Sequence, residues 1–331
     1  MSDLQLSLPG LVSESFGSPG EWVWAADESE EEFVASEFVH ATVMKDLVVE
    51  ALAPKNGSVY IDATLGGGGH AEAILEAAPG AMIVAFDRDS AAIQASSERL
   101  VAYRDQVIFI QSPFGNLLEE LRARSIKSVD GLCADLGVSS PQIDDAARGM
   151  SFRREGPLDM RMDANDGETA LELIGRLSDE ELADIIFRYG DERRSRRIAR
   201  SIKRALDADE LATTLDLRRA VVRAVGPARV GGVDPATRTF QALRIAVNDE
   251  IGQLRSLLEQ LPDALAPGAT AAIISFHSTE DRLVKQAFAS RTMWQPRWKK
   301  PRVASDEEVS GNPRARSAKL RAAARLARDE G

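Results

Sequence analysis

Asp62, the glycines at 66–69, Asp87, Phe114 and Asp135 are the positions of this chain where residue type and spacing promise chemistry. Four consecutive glycines let a backbone turn tightly and come close to a ligand. The Ala- and Glu-rich segment at 71–78 reads as a helix, whose start offers free N–H groups and a positive dipole end. Asp87 stands about 20 residues beyond the glycines, where an acid at a strand end accepts hydrogen bonds from ribose hydroxyls. Together they read as an edge built for a nucleotide-like ligand.

Short apolar runs bring these residues to one edge. Val59, Tyr60 and Ile61 precede Asp62, Ala81–Phe86 precedes Asp87, Val107–Ile110 leads toward Phe114, and Val129–Leu136 carries Asp135 near its end. These read as strands at 59–63, 82–87, 107–110 and 129–136. The segments between them, 70–78, 90–102 and 116–124, read as helices, and 40–52 reads as a helix before the first strand. Alternation of this kind implies a doubly wound α/β sheet. Ligands of such sheets sit outside the carboxyl ends of the strands, where Asp62, Asp87, Phe114 and Asp135 all fall.

After Pro141 the texture changes. Residues 143–165 are loop-like, 170–225 reads as helices with breaks at Gly190 and near Asp207, and 226–235 is a Gly/Pro-rich link. Strand character returns at 270–276. The organisation expected is an acidic disordered tail at 1–37, an α/β domain at 38–141 and 236–331, and an inserted helical domain at 142–235. An insert after the fourth strand lies beside the ligand edge, as a substrate-recognition element or as decoration.

The net charge of −11 hides an uneven distribution. Residues 1–39 hold nine acids and no Lys or Arg, which leaves −2 for the rest. Trp22 and Trp24 in this tail are partner-docking aromatics or strays. From 289 onward eleven basic residues face five acids. Arg193, Arg194, Arg196, Arg197, Arg200, Lys203 and Arg204 crowd about three helical turns, and Trp294, Arg297, Trp298, Lys299, Lys300 and Arg302 interleave aromatics with cations, followed by Arg314, Arg316, Lys319 and Arg321. Such runs are solvated faces or contacts for phosphates and stacked bases; the crowding favours an RNA partner. No apolar run approaches the roughly 20 residues of a membrane span. No secretory signal is expected, and the single cysteine, Cys133, fits a reducing cytoplasm.

Gly66-x-Gly68-x-x-Ala71 fits the dinucleotide fingerprint, so a nicotinamide enzyme is one reading. Three residues separate Asp62 from the first glycine, however, and an acid before the turn suits a ligand with a positive head. The ammonium and sulfonium of S-adenosylmethionine supply one. Phe114 would pack on the adenine or belong to the core.

The segments Asp135-Leu-Gly-Val-Ser-Ser-Pro-Gln-Ile-Asp144, Gly156-Pro-Leu-Asp-Met-Arg-Met-Asp163, Ala236-Thr-Arg-Thr-Phe-Gln-Ala242, Ile274-Ser-Phe-His-Ser-Thr-Glu-Asp281 and Asn312-Pro-Arg-Ala-Arg-Ser317 are long and ordered. The chain from about His40 to Arg325 resembles the bacterial small-subunit ribosomal RNA (cytosine-N4)-methyltransferase family, also called MraW. Thr279 stands where Leu is expected. The resemblance implies a class I (Rossmann-like) methyltransferase sheet with an inserted helical domain. It implies S-adenosylmethionine as cofactor and N4 of a cytidine in the decoding region of 16S ribosomal RNA as target, with the small ribosomal subunit as the expected setting. Another RNA or amine acceptor is the alternative. The cofactor positions it implies are Gly68, Gly69, His70, Asp87, Phe114, Asp135 and Gln142; His70 and Gln142 come from the resemblance alone.

Cytosine N4 is a poor nucleophile, because its lone pair is delocalised into the ring. Acceptors on its hydrogens help it rehybridise and later take the proton. Asp135 and the Ser139-Ser140-Pro141 turn are the candidates for that role, with Asp135 either fixing the cofactor or taking the proton. Cys133, inside a strand, reads as a core residue rather than the nucleophile of C5 methylation. His277 either touches the base or makes a structural hydrogen bond, and one Cys with three scattered His gives no metal site.

Overall fold

The structure, a computed structural model, describes residues 42–228 and 233–327. The expectations for the acidic tail, Trp22 and Trp24 included, lie outside the described residues. The first half alternates helix and strand: α1 (Lys45–Leu52), β1 (Val59–Asp62), α2 (Gly69–Ala77), β2 (Met82–Asp87), α3 (Ser90–Arg99), β3 (Val107–Gln111), α4 (Leu117–Ala123) and β4 (Val129–Asp135). A short α5 (Ser140–Asp144) follows, then α6 (Ala170–Arg176), α7 (Asp179–Gly190), α8 (Ser195–Asp207), α9 (Thr214–Val225), α10 (Thr237–Val247) and α11 (Glu250–Ala264). The chain then returns to the sheet with β5 (Leu265–Ser275), α12 (Ser278–Ala287), β6 (Trp294–Pro296), β7 (Arg302–Val303), α13 (Asp306–Gly311) and β8 (Lys319–Arg325).

The sheet runs β3-β2-β1-β4-β5-β8-β6, with β7 also paired to β8. Strands β1 to β5 are parallel, and β8 is antiparallel to β5, β6 and β7. Alternate residues of the central strands feed two apolar layers, as expected of strands covered on both faces. Ile61, Val84, Leu132 and Ile273 pack under α4, α11 and α12, whereas Tyr60, Ile83, Cys133 and Ile274 pack under α1 and α2. A third cluster, from Leu158 to Leu243, joins α6 to α10. Thus α10, beyond the Gly/Pro link, contributes Phe240 and Leu243 to the same core as the helices before it.

Several expectations are corrected. The first helix starts at Lys45, not His40. Met44 is left-handed (φ 51°), and its N–H donates to Glu308, so residues 42–44 turn instead of coiling. The helical stretch breaks also at Leu177–Ser178, where Ser178 and Glu181 cap α7. Lys319–Arg325, Ala-rich and helical in propensity, is a strand: Ala322 and Ala323 face Ala272 and Ala271 across the sheet. Trp294 is buried in the core against Phe288, 5.2 Å between centroids, so it is no stacking platform.

Candidate active site

The glycine turn is built by conformation. Gly66 and Gly68 are left-handed (φ 48° and 76°), a region costly for other residues. A side chain on Gly69 would run into the Thr42 hydroxyl, because the 42–44 turn lies against it. Asp87 fastens the turn from the next strand. Its Oδ2 accepts the Gly66 N–H at 2.8 Å and its Oδ1 accepts the Asp89 N–H at 2.9 Å. Burial outweighs these two donors and raises the carboxyl to a pKa of about 6.

Below the turn, three ionisable side chains meet. Asp62 is 1% exposed and caps the Thr64 N–H through Oδ1, leaving Oδ2 without a partner. His70, in the first turn of α2, brings Nε2 to 3.7 Å from Asp135 Oδ2. Both His70 nitrogens and Asp135 Oδ1 have no hydrogen-bond partner. Burial pushes the imidazole pKa down, but the Asp135 carboxylate, with Asp62 and Glu308 behind it, raises it on balance. Burial raises Asp62, against the pull of His70. Cys133 is buried beside Asp62 with its thiol pushed well up, the behaviour of a core residue.

The 135–144 motif forms the adjoining wall. Gln142 Oε1 accepts the Ser139 N–H at 3.1 Å, and its Nε2 donates to the buried Asp89 at 2.9 Å. Ser139 lines the cleft; Ser140 starts α5, and its side chain lies outside the described residues. Asp89 also pairs with Arg148, which donates to the carbonyls of Arg161 and Met162. Asn248, 3% exposed, accepts the Met162 N–H at 2.7 Å and donates to the Met160 and Arg244 carbonyls. The 156–163 motif is thereby tied to the strand-end loops. Opposite stand Phe276 and Glu280, whose carboxylate caps the Phe276 and His277 N–H groups, and Arg314, held by Asp144. His277 caps α12 and does not line the cleft.

These walls enclose an open cleft of about 1300 Å³, mouth included. Gly69, His70, Asp87, Phe114, Asp135, Ser139 and Gln142 line it. Gly68 faces Ser96 and Leu100 of the α3 region, and Asp62 lies beneath the lining. Sequence reasoning missed Asp89, Arg148, Asn248 and Glu280. Glu280 stands inside a recognised motif, which was the available signal; Asn248 had none.

The chain matches the MraW methylase family over residues 37–326. It belongs to that family. The "Ribosomal RNA small subunit methyltransferase H" of Sorangium cellulosum is 61% identical over 287 residues, 87% of this chain and 91% of that protein. The protein of the same name from a Cyanothece strain is 49% identical over 295 residues, 89% and 97% of the two chains. The nicotinamide reading therefore falls away, and the chain is a methylase whose methyl donor is S-adenosylmethionine.

The cleft of this MraW methylase fits that donor. Asp135, on the lining with one oxygen unpartnered, offers a carboxylate to a ligand with a positive head, as a sulfonium or an ammonium requires. Asp87 spends one lone pair per oxygen on backbone and keeps the others for hydroxyls. Half-buried Phe114 supplies an apolar wall. The basic segments are divided. Lys203 caps the end of α6, donating to the Ile174 and Leu177 carbonyls, and is no phosphate ligand. Arg194 pairs with Glu192, and Arg321 and Lys319 pair with Asp281. Arg302 lies 5.2 Å from the Trp298 ring. Among the described residues, Arg193, Arg196, Arg197 and Arg204 are exposed and carry no ion pair.

Proposed function

We propose that this methylase transfers a methyl group to the exocyclic N4 amine of a cytidine in the decoding region of small-subunit ribosomal RNA, in the cytoplasm. The observation that carries the reading is Asp135: a strand-end carboxylate on the cleft with one oxygen unpartnered, beside the Ser139 turn. The names of the relatives support the ribosomal substrate. S-adenosylmethionine, when bound, supplies an electrophilic methyl group whose thioether leaves without acid help.

Catalysis is then largely positioning. Gly69, His70, Asp87, Phe114, Asp135 and Gln142 hold the donor, with Gly68 shaping the turn. Oxygens of the 139–141 turn accept the N4 hydrogens and draw the lone pair out of conjugation, while Asp135 fixes the donor's charge. The second assignment makes Asp135 the proton acceptor. The helical block, α10 included, serves as the RNA-recognition element.

The test is methyl transfer from labelled S-adenosylmethionine to small subunits lacking native methylation, with naked 16S RNA in parallel and nucleoside mass analysis of the product. N4-methylcytidine is expected, and the parallel sample shows whether assembly is required. No label in either, with cofactor binding intact, overturns the substrate reading.

A further inference from the structure

Arg314 is held in an unusual way. It lines the cleft that Asp135 and Ser139 line. Its Nη2 donates to both oxygens of Asp144, at 3.0 and 3.2 Å, at the end of the helix that starts at the Ser139 turn. Its side chain is only 34% exposed, and Nη1 is shielded from water with no hydrogen-bond partner. A buried donor left unmade is costly and calls for an explanation. Asp144 holds the guanidinium by one nitrogen, Nη2, and leaves Nη1 as a donor without a partner.

Asp144 also neutralises Arg314. A pair with no net charge is poorly suited to a phosphate and well suited to a neutral acceptor. On the pairing edge of cytosine, the amine is followed by two neutral acceptors, N3 and O2. Enzymes acting on an extruded base read that edge by hydrogen bonds. We propose that Arg314, its Nη1 turned from the shielded position toward the cleft, donates to O2 on the pairing edge of the target cytosine, positioning the amine at the Asp135 end and distinguishing cytosine from adenine, whose amine edge carries no acceptor there. This rests on the cytidine-N4 reading above and makes Arg314 a specificity-determining residue of the same site.

The test pairs one atom of the RNA with one side chain of the protein. Target RNA is prepared with cytidine or 2-thiocytidine at the methylated position, sulfur being the weaker acceptor. Wild-type enzyme is expected to slow by ~10–100-fold on the thio substrate, the scale of losing a hydrogen bond to a charged group. Arg314→Ala is expected to be slow by a similar factor on ordinary cytidine and to lose little more on the thio substrate. Arg314→Lys, which keeps a positive charge against Asp144, guards against misfolding and is expected to retain cofactor affinity by calorimetry with S-adenosylhomocysteine while losing turnover. Equal wild-type rates on the two RNAs, or multiplying losses in Arg314→Ala, overturn the proposal. Wild-type enzyme inactive on the unmodified RNA overturns the substrate reading instead, and this proposal with it.

Discussion

A carboxylate stripped of most of its water but left with two backbone donors still protonates more readily than in solution. Asp87 is that case, with a pKa near 6 against the ordinary 3.8. The folded chain therefore takes up this proton before the unfolded chain does. Through this group alone, acidification from about pH 7 toward pH 4 adds stability while removing the charged acceptor facing the cleft. Cofactor-analogue affinity is expected to be flat above pH 7 and to weaken below pH 6, and Asp87→Asn should abolish that dependence; calorimetry across pH checks it. Asp87→Ala should weaken binding by roughly 1–3 kcal/mol, and an unchanged affinity would remove its hydroxyl role. For Asp135→Asn and Ser139→Ala, single-turnover rates and cofactor affinities separate the two assignments of the proton. A Ser139 variant unchanged in both has no part in the step. Asp87 and Asp135 were legible because a strand-end acid has few other uses. Asp89, also a carboxylate and two residues from Asp87, was not, because its partners Gln142 and Arg148 come from distant segments.

The elements differ in how openly they declare themselves. Strands β1 to β4 are apolar runs closed by an acid or a turn, and period and punctuation suffice to find them. Strand β8 is Lys-Leu-Arg-Ala-Ala-Ala-Arg, which favours a helix locally. Only its pairing with β5 on one side and with β6 and β7 on the other makes it a strand. The block of helices was visible, but its end was not, because α10 lies past a Gly/Pro link and yet shares its core. Asn248 ties the end of α10 to Met160 and Met162 by two hydrogen bonds, bonds Arg244 of its own helix, and accepts Arg88 on its carbonyl. Asn248→Ala leaves a buried N–H and carbonyls unpaired. It should cost about 1–3 kcal/mol of stability and speed hydrogen exchange at Met160–Met162 without touching β1–β4. Unchanged exchange there would mean the loop is held by Arg148 instead.

At the scale of the whole molecule, charge is sorted rather than summed. The net value of −11 conceals a bare basic stripe on α8, where Arg196, Arg197 and Arg204 are exposed. Replacing Arg196 and Arg197 with Gln should flatten the slope of log affinity against log salt by about 1.4 on single-stranded RNA. A filter-binding series at several salt concentrations reads this directly, and an unchanged slope would make the stripe a solvated face. The sequence counted Lys203, Arg194 and Arg321 with these cations, since residue type cannot reveal a carbonyl or carboxylate already engaged. The position of β8 has a further consequence, in time rather than space. Strand β5 exposes one hydrogen-bonding edge until β8 pairs with it, and 44 positions of chain separate Ser275 from Lys319. At a synthesis rate of roughly 5–20 residues per second, β8 is made about 2–9 s after β5 in every nascent chain. An open edge is where neighbouring chains add strands, so pairing with β8 closes β5 to such additions.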